Sequence, residues 1–189
     1  MVKIKSPIVR EIEYTSDSLV NLRNQLKFSE HKNDIKFLFD YPVVYIVDDE
    51  KKNQFSVYIG ETTDIIRRTS QHLIADIKKE NRDDWRDFAT SSTTKMFVIG
   101  HNHFNKSLTL DIENRLMLYL SSVDNVTRVQ NRRGNPQNEY YTSNELDSIF
   151  SKIWRLLRKS NKHLFPVESI VRNSAIFKAS PFHKLTEEQ

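Results

Sequence analysis

Short β-branched and aromatic runs alternate along this chain with longer stretches in which apolar residues recur at helical spacing. Pro42 opens Val43-Val44-Tyr45-Ile46-Val47, a polar stretch runs from Asp48 to Gln54, and Phe55-Ser56-Val57-Tyr58-Ile59-Gly60 resumes the apolar pattern. Two such runs around a polar turn predict a β-hairpin. With the turn centred between Lys51 and Lys52, Tyr45 lies opposite Tyr58. Both phenols then share one sheet face, because side chains alternate along each strand. Lys95-Met96-Phe97-Val98-Ile99 predicts a third strand, followed by a loop with His101 and His103.

Helical spacing marks four further segments. Ser16 or Asp17 can cap a helix carrying Leu19, Val20, Leu22 and Leu26 that ends near Ser29. Thr63 or Asp64 can cap a second, from Ile65 to Lys79, with Ile66, Leu73, Ile74 and Ile77 as its core stripe. Arg68 and His72 fall one turn apart on the side away from that stripe, so they can act together. A polar connection through Trp85 and Phe88 precedes the third strand, and a third helix is expected from about Ser107 to Leu120. Thr142-Ser143-Asn144-Glu145 has the form of a capping box and starts a fourth through Ile149, Ile153, Leu156 and Leu157. Before it, Val126 to Gln137 reads as a basic, Asn-rich loop. The domain organisation expected is a helical extension over 1–40, an α/β domain over 41–160 and a linker over 161–189.

Composition narrows the chemistry. The 189 residues, 38% hydrophobic and 29% charged, suffice for one folded core. With no cysteine, disulfides, thiolate nucleophiles and Cys-built zinc sites are excluded, and any metal must be held by His, carboxylate or amide oxygen. The three glycines, Gly60, Gly100 and Gly134, cannot spell a Walker A loop or a Gly-x-Gly-x-x-Gly fingerprint, which removes nucleotide-hydrolysing and dinucleotide redox chemistry from these residues. A formal charge of +4 permits a polyanionic partner. No apolar run approaches the roughly 18 residues of a membrane helix, and Met1-Val2-Lys3-Ile4-Lys5 lacks a signal peptide's apolar stretch. A soluble, cytoplasmic protein with no membrane partner is expected.

Glu113 is the most informative single residue. On a helical wheel it falls about 100° from Ile112, inside the arc formed by Leu108, Leu116, Met117, Tyr119 and Leu120. A carboxylate thus interrupts a buried stripe, and it must be matched by a cation, by donors or by a raised pKa. A structural ion pair and a functional acid are both open at this point. His101 and His103 stand as alternate loop residues with no carboxylate nearby in sequence.

The order of these parts resembles the GIY-YIG nuclease superfamily, over roughly Asp40 to Tyr141. Val43-Val44-Tyr45 stands where the family has Gly-Ile-Tyr, and Tyr58-Ile59-Gly60 matches the second half, with the tyrosines 13 positions apart. Arg68 sits at the family's Arg, His72 at the His of several branches and Glu113 at the metal-binding Glu. Asn131 is the candidate for the Asn that closes the set. Two departures stand out: Val43 replaces the first glycine, and Glu61 follows Gly60 where some relatives have Lys, placing negative charge near a phosphate site. The resemblance implies a three-stranded antiparallel sheet flanked by helices and hydrolysis of a phosphodiester with Mg²⁺ or Mn²⁺ on Glu113. Arg68 would bear on transition-state charge, and Tyr45, Tyr58 or His72 would act as base. Arg67, Asn131, Arg132 and Arg133, with Arg128, form a candidate nucleic-acid contact, DNA before RNA. The alternative is a module that keeps the fold and binds nucleic acid without cutting it. The tail from Ala179 to Gln189 is similar to the entry into the motor of a bacterial helicase-like family in which a GIY-YIG domain precedes a P-loop ATPase domain, so such a domain is the expected neighbour.

Overall fold

A computed structural model describes residues 4–78, 83–130 and 143–178. Five strands form one mixed sheet: β1 (Ile8–Glu13), β2 (Val43–Lys51), β3 (Gln54–Thr62), β4 (Lys95–Gly100) and β5 (Val126–Gln130), in spatial order β1-β4-β2-β3-β5. All neighbours are antiparallel except β3 and β5, which run parallel. The three strands expected are its centre, and the sheet is wider by one strand on each side. Both additions are half-exposed edges: β1 carries Arg10, Glu11 and Glu13 among its six residues, and β5 is five residues inside a segment whose basic character suggested a loop. The segment expected as a helical extension therefore also feeds the sheet.

β2 is buried on both faces from Val43 to Asp49, which explains why it reads as a continuous apolar run instead of an alternation. Val44 and Ile46, with Val57, Ile59, Phe97 and Ile99, face α4 (Lys106–Ser121) and α5 (Leu146–Ser160), where Leu108, Ile112, Leu116, Ile153 and Trp154 complete one core. Val171 of α6 (Glu168–Asn173) and Phe177 of α7 (Ala175–Lys178) join it, so the stretch expected as linker contributes to packing. Tyr45, Val47, Tyr58, Met96 and Val98 face the other way, toward α1 (Ser16–Lys27), α2 (Ile65–Ser70) and α3 (Asp83–Thr90). Leu19, Leu22, Leu26, Ile65, Trp85 and Phe88 fill that second core, and Val20 of α1 stays outside, 45% exposed. Thr15 caps α1 instead of Ser16 or Asp17, its hydroxyl accepting from the Ser18 amide. None of the described helices is long and apolar enough to cross a membrane.

The hairpin register differs by one turn position from the expected one. Lys52 and Asn53 both adopt positive φ, 52° and 61°, the two-residue turn whose twist matches paired strands. Lys51 then pairs with Gln54, Val47 with Tyr58 and Tyr45 with Gly60. Moving the turn centre by one residue moves the pairing by two, so the tyrosines are diagonal neighbours yet still share a face.

The helix after Asp64 departs further. It is α-helical only to Ser70, then widens into a π-helical stretch over Gln71–Ala75 and tightens into a 3-10 turn over Asp76–Lys78. The expected core residue Ile74 is 58% exposed, while His72, expected on the side away from the core, is 1% exposed. A wheel of strict 3.6 periodicity loses phase once a π turn is inserted.

Asp48, near the end of β2, is 2% exposed, and its Oδ1 has no hydrogen-bond partner among the described residues. Burial pushes its carboxyl up to about 7, against the pull of Lys95 and with Glu11, Glu50 and Asp49 adding to the rise. Because the folded value lies above the unfolded one, 3.8, the folded protein keeps a proton that the unfolded chain releases, and stability falls as pH rises from about 4 to 7. The full effect is at most about 4 kcal/mol. Asp48→Asn should raise Tm over wild type by a margin that widens across this window and levels off above it. A margin independent of pH would refute this account of Asp48.

Candidate active site

Four of the expected site residues meet on the sheet face that α2 covers. Tyr45 projects from β2 and Tyr58 from β3, with ring centroids 6.0 Å apart. Gly60, directly across from Tyr45, is the reason the ring fits: a Cβ there would lie 2.6 Å from both Cζ and Oη of Tyr45. Gly60 has no positive φ, so its lack of a side chain matters here for space and not for backbone freedom. Arg68 on α2 stands beside both phenols, and its Nη1 donates to Gln71 Oε1 at 3.2 Å. The tyrosines differ in depth, Tyr45 being 1% and Tyr58 8% exposed.

His72 is the hub beneath them. Its Nε2 lies 3.0 Å from the Tyr45 hydroxyl and its Nδ1 2.7 Å from Asp76 Oδ2, with all three side chains buried. The spacing of four between His72 and Asp76 brings the two side chains together across the join of the π stretch and the 3-10 turn. The indole of Trp85 stacks on the imidazole at 3.6 Å with 15° between the planes, and also meets Tyr58 at 4.4 Å. Burial pushes the Tyr45 phenol well above its usual 10.0, the neighbouring Tyr58 adds to the rise, and Arg68 opposes it. Tyr45 is therefore a neutral phenol at neutral pH, and it can accept a proton only as its own is passed on.

Glu113 occupies a different position. It is 4% exposed on α4, between Ile112 and Leu116, whose side chains belong to the core on the other face of the sheet from Tyr45 and Tyr58. Glu61 also faces that side and is paired with Lys106 in the first turn of α4. The acidic departure after Gly60 is thus matched by a cation and points away from the tyrosines. Arg67 is exposed and lies 3.8 Å from Asp64, while Arg128 is on β5, 3.7 Å from Asp87. Asn131, Arg132, Arg133, Thr142 and the tail from Ala179 lie outside the described residues. β5 ends at Gln130, which pairs with Tyr58.

His101 and His103 are engaged locally: His101 Nε2 contacts Lys5 O at 3.1 Å, and His103 Nδ1 meets Glu145 Oε2 at 2.5 Å. Among the described residues no group of three or more His, Asp or Glu side chains could hold a metal ion. Asp76 and Trp85 escaped the sequence reading. Trp85 and Phe88, three apart in a polar stretch, were the available sign of the amphipathic α3 that carries them.

Residues 41–118 match the family model of the GIY-YIG catalytic domain. Tyr45, Tyr58, Gly60, Arg68, His72 and Glu113 all fall within that stretch, and domains of this family are typically nucleases that hydrolyse phosphodiesters. No curated protein and no solved structure matches the chain.

Proposed function

We propose that this chain carries a divalent-metal-dependent endonuclease domain that hydrolyses nucleic-acid phosphodiester bonds, with DNA as substrate. The observation that carries the reading is the gathering of Tyr45, Tyr58, Arg68 and His72 on one sheet face inside the matched segment, with a permanent cation beside two phenols. A guanidinium presents a planar fork to phosphate oxygens and meets the negative charge that grows on them in the transition state. Tyr58, less buried than Tyr45, is placed to orient the attacking water, and Tyr45 with His72 forms a proton path behind it.

Glu113 is the residue proposed to hold the metal. A single carboxylate can anchor Mg²⁺ or Mn²⁺ together with substrate phosphate and water, but α4 packs on the sheet face away from Tyr45 and Tyr58, so the described residues do not bring Glu113 and the tyrosine cluster to one phosphate. The pairing of Glu61 with Lys106 supports competence, because that carboxylate's charge is met locally.

Supercoiled plasmid incubated with the chain and Mg²⁺ or Mn²⁺ should acquire nicks, and EDTA should prevent them. Glu113→Gln should abolish nicking while leaving salt-sensitive plasmid binding in place. Binding with no metal-dependent new ends from the wild type would instead establish the silent binding module.

A further inference from the structure

The most closely partnered side chain in this cluster is His72, and the partners beneath it decide which of its nitrogens carries a proton. Arg68 beside Tyr45 has donors only, so the Tyr45 oxygen can accept from it but must send its own proton elsewhere. An acceptor within reach is His72 Nε2, at 3.0 Å. For Nε2 to accept, the imidazole proton must sit on Nδ1, where Asp76 Oδ2 takes it at 2.7 Å. Among the described residues, the other titratable groups beside this path are Tyr58 on the sheet and Tyr14 between β1 and α1. Trp85 covers one face of the ring, and an indole face favours a cation resting on it.

We propose that Asp76 is a positioning residue that holds His72 as its Nδ1–H tautomer, making Nε2 the receiver of the Tyr45 proton. This rests on the nuclease reading for its catalytic consequence, although the tautomer itself does not. In the attack step the water O–H bond breaks and its proton passes to the Tyr45 oxygen as the Tyr45 proton passes to Nε2. The hydroxide forms the new P–O bond, and the bond to the leaving oxygen breaks. The imidazolium stays between Asp76 and Trp85 until its proton returns through Tyr45 to solvent or to the leaving oxygen.

Ring ¹⁵N NMR of the full chain, with no metal or DNA and with the His72 signals assigned by comparison with His72→Gln, reads the tautomer directly. The Nδ1–H form is expected in the wild type. Asp76→Asn can donate to Nδ1 and should shift the population toward Nε2–H, while Asp76→Glu should restore Nδ1–H at least in part. In plasmid nicking, Asp76→Asn should lose about 10²-fold in turnover at unchanged binding and change the acidic limb of the pH–rate profile. Asp76→Glu should recover part of that rate. A wild-type Nε2–H form, a tautomer unaltered by Asp76→Asn, or wild-type turnover in the folded variant would each overturn the proposal. A chain that nicks nothing would defeat the nuclease reading, and the NMR result would still decide the tautomer.

Discussion

Arg68→Ala should lower plasmid nicking by about 10²- to 10³-fold while weakening DNA binding only a few-fold. The expected split follows from where the guanidinium stands. It is half-buried beside two phenols, where no other cation is described, and is oriented by Gln71. A surface arginine gripping phosphate would affect affinity and turnover alike, since it bears equally on ground and transition states. On the proposed reading Arg68 faces the reacting phosphate, so its charge counts most as charge builds there. It also opposes the rise that burial imposes on the Tyr45 phenol, so its removal makes that oxygen harder to ionise. Arg68→Lys should restore little, because a point charge cannot span two phenols and two phosphate oxygens at once. Single-turnover rates at saturating protein, beside a salt-matched binding isotherm, separate the two effects. Equal losses in rate and affinity would place Arg68 on the binding surface only.

The parts of this fold that were legible in sequence are those whose signal is local. The runs of β2, β3 and β4 are apolar because both sheet faces are covered, and the stripe of α4 is regular enough to show Glu113 as the interruption it is. β1 and β5 were not legible because edge strands carry charged and polar side chains, which removes the pattern by which strands are recognised. The register slipped because the polar stretch from Asp48 to Gln54 allows several turn centres, although Asn53 was the residue best suited to positive φ. His72 was picked out by spacing from Arg68, but its burial was not foreseeable, since a π turn resets which side of the helix meets the sheet. Asp76 and Trp85 become meaningful only when α3 is folded against the π and 3-10 stretches over Gln71–Lys78. Neither periodicity nor motif order contains that relation. Glu113 shows the converse: its burial was read correctly, while its place across the sheet from the tyrosines depends on which face α4 covers.

Gly60→Ala should damage both the fold and the site, through one contact. The added methyl would stand 2.6 Å from the Tyr45 Cζ and Oη and 2.9 Å from Cε1, closer than a Cβ carbon sits to any unbonded atom without something shifting. Relief requires the phenol to move, yet the ring is 1% exposed, set against Tyr58 and tied to His72 at 3.0 Å. Overpacking of this kind costs about 1–3 kcal/mol, which for a chain of this size lowers Tm by roughly 2–4 °C per kcal/mol. Turnover should fall more steeply, by about 10²-fold, because a displaced phenol no longer reaches His72 Nε2. A double-mutant cycle isolates the contact. Tyr45→Leu removes the aromatic tip, so adding Gly60→Ala to it should cost little further stability, and the two substitutions should be non-additive by most of the single-variant effect. Nicking should stay low in the double variant, since the phenol is gone. Additive losses would mean that Gly60 serves the sheet independently of Tyr45, and a Gly60→Ala chain with wild-type Tm and nicking would remove the tyrosine from the site altogether.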